Sequence, residues 1–149
     1  MTEARKWRLS LAALAIATAL LNLINLAKGQ RSEYYAAIAV SMSKSFSNFI
    51  FGALDPAGTV TLDKIPGSYW IPALFVKIFG FSTWAVTAPN AIAGVIAVLI
   101  VATTIKNLFG KTAGLLAGAL FAATPIVAAV VRSNQPQTFF LLSLALTMW

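Results

Sequence analysis

The sequence predicts an all-α, polytopic membrane protein, and three observations support this fold class. Hydrophobic residues make up 59% of the 149 residues, whereas soluble domains contain about 45–50% apolar residues. Charged residues make up only 10%, which is too few to cover the surface of a soluble protein. The third observation is that uncharged runs of membrane-spanning length recur along the chain. We therefore expect lipid to surround much of this protein.

Four apolar runs account for the predicted membrane helices. The first, residues 10–27, is uncharged over roughly 18 residues, which at about 1.5 Å per residue just crosses a hydrocarbon core of about 30 Å. The second and third, 84–105 and 112–131, are also uncharged and are bounded by cations. The fourth, 138–149, is too short to cross a bilayer as a helix. We expect three complete spans and part of a fourth, in one domain over residues 1–149.

The distribution of cations predicts the orientation of these spans. Residues 5–8 carry three cations, and the absence of an A-x-A cleavage site after the first run favours an uncleaved anchor over a signal peptide. Cations in short segments beside span ends govern topology more than cations spread along a long loop. We therefore expect the N-terminus and the turn 106–111 in the cytoplasm. The loop of about 28–83 and the turn 132–137 are then expected outside.

The available side chains limit the chemistry. The chain has no Cys and no His, which excludes disulfides, zinc fingers and histidine acid–base catalysis. The net charge of +7 comes from cations that are scattered between apolar runs, so we expect anionic headgroups and not nucleic acid as partners. Any reaction must use the four carboxylates, the eleven cations, hydroxyls and amides.

The long outer loop is predicted to contain helices and turns. Apolar residues recur at three- and four-residue spacing over 34–51, with Ser32 as a candidate N-cap, which predicts an amphipathic helix in the membrane interface. Proline and glycine between 52 and 67 indicate turns. A second apolar stretch, 69–81, predicts a juxtamembrane helix. An ordered loop of this length is usually functional.

Small residues recur every four positions in the third run. The stripe consists of Gly110, Gly114, Gly118 and Ala122. Small side chains at this spacing let two helix backbones approach closely. We expect the stripe to pack, most simply against another span of the same chain.

Carboxylates and cations converge on the predicted outer face. Each has a structural explanation when taken alone: Glu33 stabilises a helix dipole, Asp55 starts a turn, Asp63 caps a helix, Lys64 reaches headgroups and Arg132 ends a helix. Taken together they suit an anionic lipid-phosphate ligand. Cations would bind the phosphate, aromatic residues would hold an isoprenoid or a sugar, and a carboxylate would take a proton from an acceptor hydroxyl. The flanking aromatic residues are Tyr34, Tyr35, Tyr69 and Trp70.

Four segments in this region resemble a known pattern. EYYAAIAVSM, FIFGALDPAG, TLDKIPGSYW and FGFSTW are similar to the first outer loop of the family 39-type GT-C glycosyltransferases, which include protein O-mannosyltransferases and the lipid A aminoarabinose transferase. The resemblance runs over about 33–149. It implies a GT-C-like fold in the bacterial plasma membrane, and transfer of a sugar from a polyprenyl-phosphate donor to an acceptor on the outer face. Such enzymes have more spans, so the chain resembles their N-terminal part and is expected to need the remaining spans for turnover.

The resemblance also implies roles for individual residues. Glu33 matches an acidic position that is linked to activation of the acceptor, so that Glu33 or Asp63 would act as the base. Asp63 and Lys64 match an acidic–lysine pair in which the lysine contacts the donor phosphate. Arg132 matches an arginine at the outer end of a later span. The expected substrate-binding residues are Lys64, Asp55, Arg132, Tyr35 and Trp70.

Two positions depart from the pattern, and two questions stay open. Ile65 replaces the first proline of the usual Lys-Pro-Pro motif. Gln137, which cannot act as a base, stands where relatives often carry Asp. No metal ligand is assigned, although clustered carboxylates without histidine would suit a divalent cation. The alternative to an enzyme is a small membrane module that uses its glycine stripe to pack against a larger protein.

Overall fold

The computed structural model describes residues 2–28 and 31–149 and confirms the all-α fold class. Within these residues an isolated bridge between Ala53 and Thr61 is the only extended pairing. Residues 29 and 30 of the predicted outer loop, and residue 1, lie outside the described part. The described α-helices are α1 (Glu3–Leu23), α2 (Glu33–Lys44), α3 (Phe46–Phe51), α4 (Gly67–Phe79), α5 (Thr83–Phe109), α6 (Lys111–Ala123), α7 (Pro125–Val131) and α8 (Gln137–Met148).

Helix α5 is the centre of the bundle. It begins where the Ser82 Oγ accepts a hydrogen bond from Ala85 N at 3.1 Å, and it ends at Gly110, whose φ of +89° suits a residue without a Cβ. Its small side chains let α1, α4, α6, α7 and α8 pack around it. Helix α5 and the segment from Glu3 to Lys28 are the described helices long and apolar enough to cross a membrane individually.

The predicted third span, 112–131, is two helices. Helices α6 and α7 meet at an angle of 66°, because Pro125 has no N–H to continue the helix and restricts Thr124 before it to an extended conformation. The Thr124 hydroxyl donates back to Leu120 O at 2.8 Å. The pair can therefore cross a membrane only as one broken span. Helix α8 is shorter than a complete span.

The helices of the long loop pack on one another. The predicted helix over 34–51 breaks at Ser45, whose Oγ caps α3 by accepting from Asn48 N at 3.1 Å. The apolar face of α2, with Ile38 and Met42, is buried against α4, where Ala73 is also buried. Helix α4 itself packs against α5. The loop helices are thereby attached to the bundle.

The glycine stripe packs within the chain, as the sequence predicts. A Cβ on Gly114 would collide with the carbonyl oxygen of Ala102 and with the side chain of Lys106 on α5. A Cβ on Gly118 would lie 2.8 Å from Leu14 of α1 and 2.9 Å from the Ala102 Cβ. Both glycines are buried, and both permit the close approach of α6 to its neighbours.

The segments that the sequence predicts on the same side of the membrane lie at the same end of the bundle. At one end, the Lys111 Nζ lies 3.2 Å from the Glu3 carboxylate, so the N-terminus and the turn 106–111 are together. At the other end, the Ser32 N donates to the Asn134 Oδ1 at 2.8 Å. We call this second end, with the loop 31–83 and the turn 132–137, the loop end. Which end faces the cytoplasm stays a prediction.

The stripe allows a direct test of the packing. Gly114→Val forces a side chain against the Ala102 carbonyl, which belongs to a helix backbone and cannot rotate away. We expect a loss of about 1–3 kcal/mol of stability, as for overpacked cores, measured as a lower unfolding temperature in detergent. Ala119→Val, on the exposed face of the same helix, is the matched control. Equal unfolding temperatures for the two variants would contradict the packing.

Candidate functional site

An apolar groove opens beside Lys64 at the loop end. The groove has a volume of about 540 Å³ and lies between the start of α4 and α8. Its polar residues include Lys64 and Gln137. Its apolar lining includes Ile65, Trp70, Phe139, Phe140, Leu142 and Leu146. A cation in the lining of an apolar groove suits a ligand with an anionic head and a hydrocarbon tail.

The Asp63 carboxylate connects Lys64 to the start of α2. The Lys64 Nζ donates to the Asp63 Oδ2 at 2.9 Å, and the Tyr34 hydroxyl donates to the Asp63 Oδ1 at 2.7 Å. The hydrogen bond from Tyr34, and then that from Lys64, holds the pKa of Asp63 below its ordinary value. The same contact with Asp63 raises the pKa of Lys64. Asp63 is therefore ionised and Lys64 protonated at neutral pH.

Three tyrosine rings link this pair to the core. The Tyr34 ring meets the Tyr35 ring edge-on at 5.3 Å between centroids, and Tyr35 lies 5.9 Å from Tyr69. Tyr69 is only 1% exposed, and its hydroxyl has no hydrogen-bond partner within the described residues. Tyr35, predicted to bind substrate, is half-buried between the other two rings. The rings hold the Tyr34 hydroxyl in place for Asp63.

Glu33 pairs with an arginine and does not contact Asp63. The Glu33 Oε1 accepts from the Arg31 Nε at 3.0 Å, and the Glu33 side chain is 75% exposed. Arg31 in turn donates to the Thr83 Oγ1 at 2.8 Å and lies 4.9 Å from the centre of the Phe81 ring. The two carboxylates predicted as alternative bases thus have different surroundings.

Asp55 organises the loop that precedes Asp63. Its Oδ1 accepts from Val60 N at 2.7 Å and its Oδ2 from the Thr59 hydroxyl at 3.0 Å. The hydrogen bond from the Val60 backbone is the main reason that the pKa of Asp55 is lowered. The buried Asn48 amide donates to the carbonyls of Asp55 and Pro56 at 3.3 and 3.0 Å. The predicted substrate-binding carboxylate therefore engages its own loop.

Trp70 and Arg132 occupy different positions. The Trp70 indole N–H donates to Phe49 O at 2.9 Å, and the indole stacks on the Phe49 ring while it lines the groove. Arg132 caps the end of α1, since its guanidinium donates to Leu21 O at 2.8 Å and to Ile24 O at 3.0 Å. It lies outside the lining of the Lys64 groove, in a separate cavity.

The structure thus brings together part of the predicted site. Lys64 and Trp70 line the groove and Asp63 pairs with Lys64, whereas Asp55, Glu33 and Arg132 have other contacts. Tyr34 was noticed in the sequence only as a flanking aromatic residue, and its place in the EYY segment was the available signal. The hydrogen bonds between Asn134 and Ser32 had no signal in the sequence, because they join residues about a hundred positions apart.

The described residues do not form a metal centre by themselves. No group of three or more carboxylates is found within residues 2–28 and 31–149, and the Asp63 carboxylate beside Lys64 already contacts the Lys64 ammonium. A hard cation requires several oxygen ligands, and a neighbouring ammonium opposes its binding. The described residues therefore do not fit a divalent cation by themselves, and a cation bound with the help of further spans stays a prediction.

Comparison with known proteins gives consistent matches. Residues 63–149 match the family described as dolichyl-phosphate-mannose-protein mannosyltransferase. The protein named "Putative mannosyltransferase YkcB" from Bacillus subtilis (strain 168) is 40% identical over 99% of this chain. "Putative mannosyltransferase YycA" from the same organism is 36% identical over 97% of the chain. No solved structure matches.

The matches cover the residues at the groove. The chain spans about a fifth of the length of these relatives, 21% of each. The family match begins at Asp63, includes Lys64, Trp70 and α8, and extends over more than half of the chain. The apolar helices agree with a membrane protein of this type. The chain belongs to the dolichyl-phosphate-mannose-protein mannosyltransferase family.

Proposed function

We propose that this chain is the N-terminal part of a membrane glycosyltransferase that transfers a sugar from a polyprenyl-phosphate donor to an acceptor at the loop end. The observation that carries the proposal is that Lys64 lines the apolar groove between α4 and α8. The family description, which names a dolichyl-phosphate sugar, supports a donor of this chemical class.

The groove suits each part of such a donor. The Lys64 ammonium is a compact charge of the kind that binds phosphate, and 45% of its side chain is accessible. The apolar wall formed by Phe139, Phe140 and Leu146 would lie along the isoprenoid. Trp70 adds an indole ring, on which a sugar or an isoprenoid could pack. The isoprenoid tail would thereby leave water as the phosphate meets its counter-ion.

The transfer requires a base and an anionic leaving group. An acceptor hydroxyl gives its proton to a carboxylate as its oxygen bonds to the anomeric carbon of the sugar. The bond between that carbon and the phosphate oxygen breaks, and the polyprenyl phosphate leaves with the electron pair. Lys64 would stabilise the negative charge that grows on this phosphate.

Glu33 is the carboxylate that we assign as the base. Both oxygens of Asp63 are engaged, by Tyr34 and by Lys64, and its pKa is lowered, so that it is a weak base. Glu33 uses one oxygen for Arg31 and is largely exposed. Asp63 would act by holding Lys64 at the groove.

The remaining spans of the complete protein would close the cavity. We place the loop end outside the bacterial plasma membrane and the N-terminus in the cytoplasm, following the cations in the short segments. The acceptor would approach from outside. The non-enzymatic alternative depends on the glycine stripe, of which Gly114 and Gly118 already pack against α5 and α1.

Removal of the ammonium is the first test of the proposal. In the full-length protein, Lys64→Ala is expected to lower kcat/KM for sugar transfer about 10²-fold or more, since it removes the charge opposite the leaving phosphate. Lys77→Ala, in the last turn of α4 and away from the groove lining, is the matched control and should remain near wild type. Both variants are checked for membrane insertion. Equal activity of the two variants would contradict the proposal.

The two carboxylates are expected to affect different kinetic constants. Glu33→Gln should lower kcat by about 10²–10⁴-fold, the usual contribution of a general base, with little change in the KM for the donor. Asp63→Asn should mainly raise the KM for the donor, because Lys64 loses its partner. Steady-state kinetics with a polyprenyl-phosphate sugar measures both. The reverse pattern would assign the base to Asp63.

The Tyr34 hydrogen bond predicts a change in pH dependence. A carboxylate with a lowered pKa stays ionised to lower pH, so Tyr34→Phe, which removes the main cause of the lowering, should move the acid-side loss of donor binding to higher pH. The pH profile of the dissociation constant for polyprenyl phosphate measures this change, because Asp63 is the carboxylate that holds Lys64. Tyr35→Phe, which keeps the Tyr34 hydroxyl, should leave the acid limb in place. An unchanged acid limb in Tyr34→Phe argues against a role for Asp63 ionisation.

A further inference from the structure

A second cavity at the loop end contains two arginines. It has a volume of about 640 Å³ and shares no lining residue with the Lys64 groove. The turn 132–137 separates the two: Arg132, Ser133 and Gln135 line this second cavity, whereas Gln137 lines the groove. Arg31 completes the charged side. We call it the arginine cavity.

The two guanidinium groups are held in place by the fold. Arg31 is fixed by Glu33, Thr83 and the Phe81 ring, and Arg132 by the carbonyls at the end of α1. These contacts use two N–H groups on each arginine, and a guanidinium carries five. The other donors have no partner within residues 2–28 and 31–149. They are therefore available to an anion without the entropic cost of ordering a free side chain.

The cavity also has an apolar lining. It includes Ile126, Ala128, Ala129 and Val130 of α7, the helix that the break at Pro125 turns by 66°. The bend directs this short helix away from the line of α6, so that its side chains face the cavity beside the arginines. Cationic donors thus lie next to hydrocarbon at the end of the bundle.

We propose that the arginine cavity binds the phosphate of an anionic phospholipid, with an acyl chain along α7. Among the described residues, Glu33 is the one carboxylate that forms a salt bridge with either arginine, and it pairs with Arg31, so the cavity keeps an excess of positive charge. It lies at the ends of the spans, where headgroup phosphates lie in a bilayer. The bound lipid would join α1, α2 and α7 through the two arginines. The proposal does not rest on the sugar transfer, although Arg31 also pairs with Glu33, the carboxylate assigned as the base.

Lipid retention tests the proposal on the full-length protein. The protein is reconstituted in nanodiscs that contain equal amounts of phosphatidylglycerol and phosphatidylcholine, and retained lipids are counted by native mass spectrometry. Gln135→Glu puts a carboxylate into the cavity with little change of shape, and Gln137→Glu does the same in the Lys64 groove. We expect a roughly fivefold loss of retained phosphatidylglycerol in Gln135→Glu, and wild-type retention in Gln137→Glu.

A second pair of variants distinguishes a loss of lipid binding from misfolding. Ala129→Trp fills the arginine cavity and leaves both arginines in place, whereas Ala19→Trp fills an apolar cavity on α1 whose lining carries no charge. Only the first should reduce retained phosphatidylglycerol. The proposal is overturned by equal retention in all four variants, or by equal retention of the two lipids in the wild type. It is also overturned if added polyprenyl phosphate is retained at the cavity and phosphatidylglycerol is not.

Discussion

Buried asparagine amides at the loop end hold together the parts of the chain on which the site depends. Asn134 exchanges two hydrogen bonds with the Ser32 backbone, at 2.8 and 2.9 Å, and the Asn90 amide donates to Gln135 O at 2.6 Å. Burying an amide without a hydrogen-bond partner lowers the stability of a protein by about 1–3 kcal/mol. These bonds therefore tie the start of α2, the middle of the bundle and the turn before α8 into one unit. Tyr34 comes shortly after Ser32 in the sequence, and Gln137 shortly after Gln135, so both residues lie next to segments that these hydrogen bonds connect.

The helices that form the two cavities at the loop end all pack against the central helix α5. Helices α4 and α8 both pack against α5, and the groove beside Lys64 lies between them. Helix α7 also packs against α5, but the break at Pro125 and the turn 132–137 direct it to the arginine cavity. One groove presents an ammonium with a carboxylate partner, and the other presents two guanidinium groups. The same fold can therefore hold a reactive lipid phosphate and a structural one at different places.

The sequence predicted the features that depend on local hydrophobicity and missed those that depend on tertiary contacts. Uncharged runs located α1, α5 and α8, because a span requires only length and apolar side chains. The bend at Pro125 was missed because the apolar run continues through it. At the site, the pair Asp63–Lys64 was predictable from adjacency, as was its closeness to an aromatic cluster. The contact of Arg132 with Leu21 and Ile24 was not, since it joins residues more than a hundred positions apart.

The central claim is that the groove beside Lys64 holds the polyprenyl chain of the donor. Photo-crosslinking of the full-length protein in membranes with a polyprenyl phosphate that carries a diazirine near its phosphate end tests it most directly. Peptide mapping by mass spectrometry is expected to place the adducts on 139–146 of α8 and on 65–70 at the start of α4, with loss of adducts when unlabelled polyprenyl phosphate is added in excess. Adducts confined to α7, or adducts that excess ligand does not remove, would contradict the account.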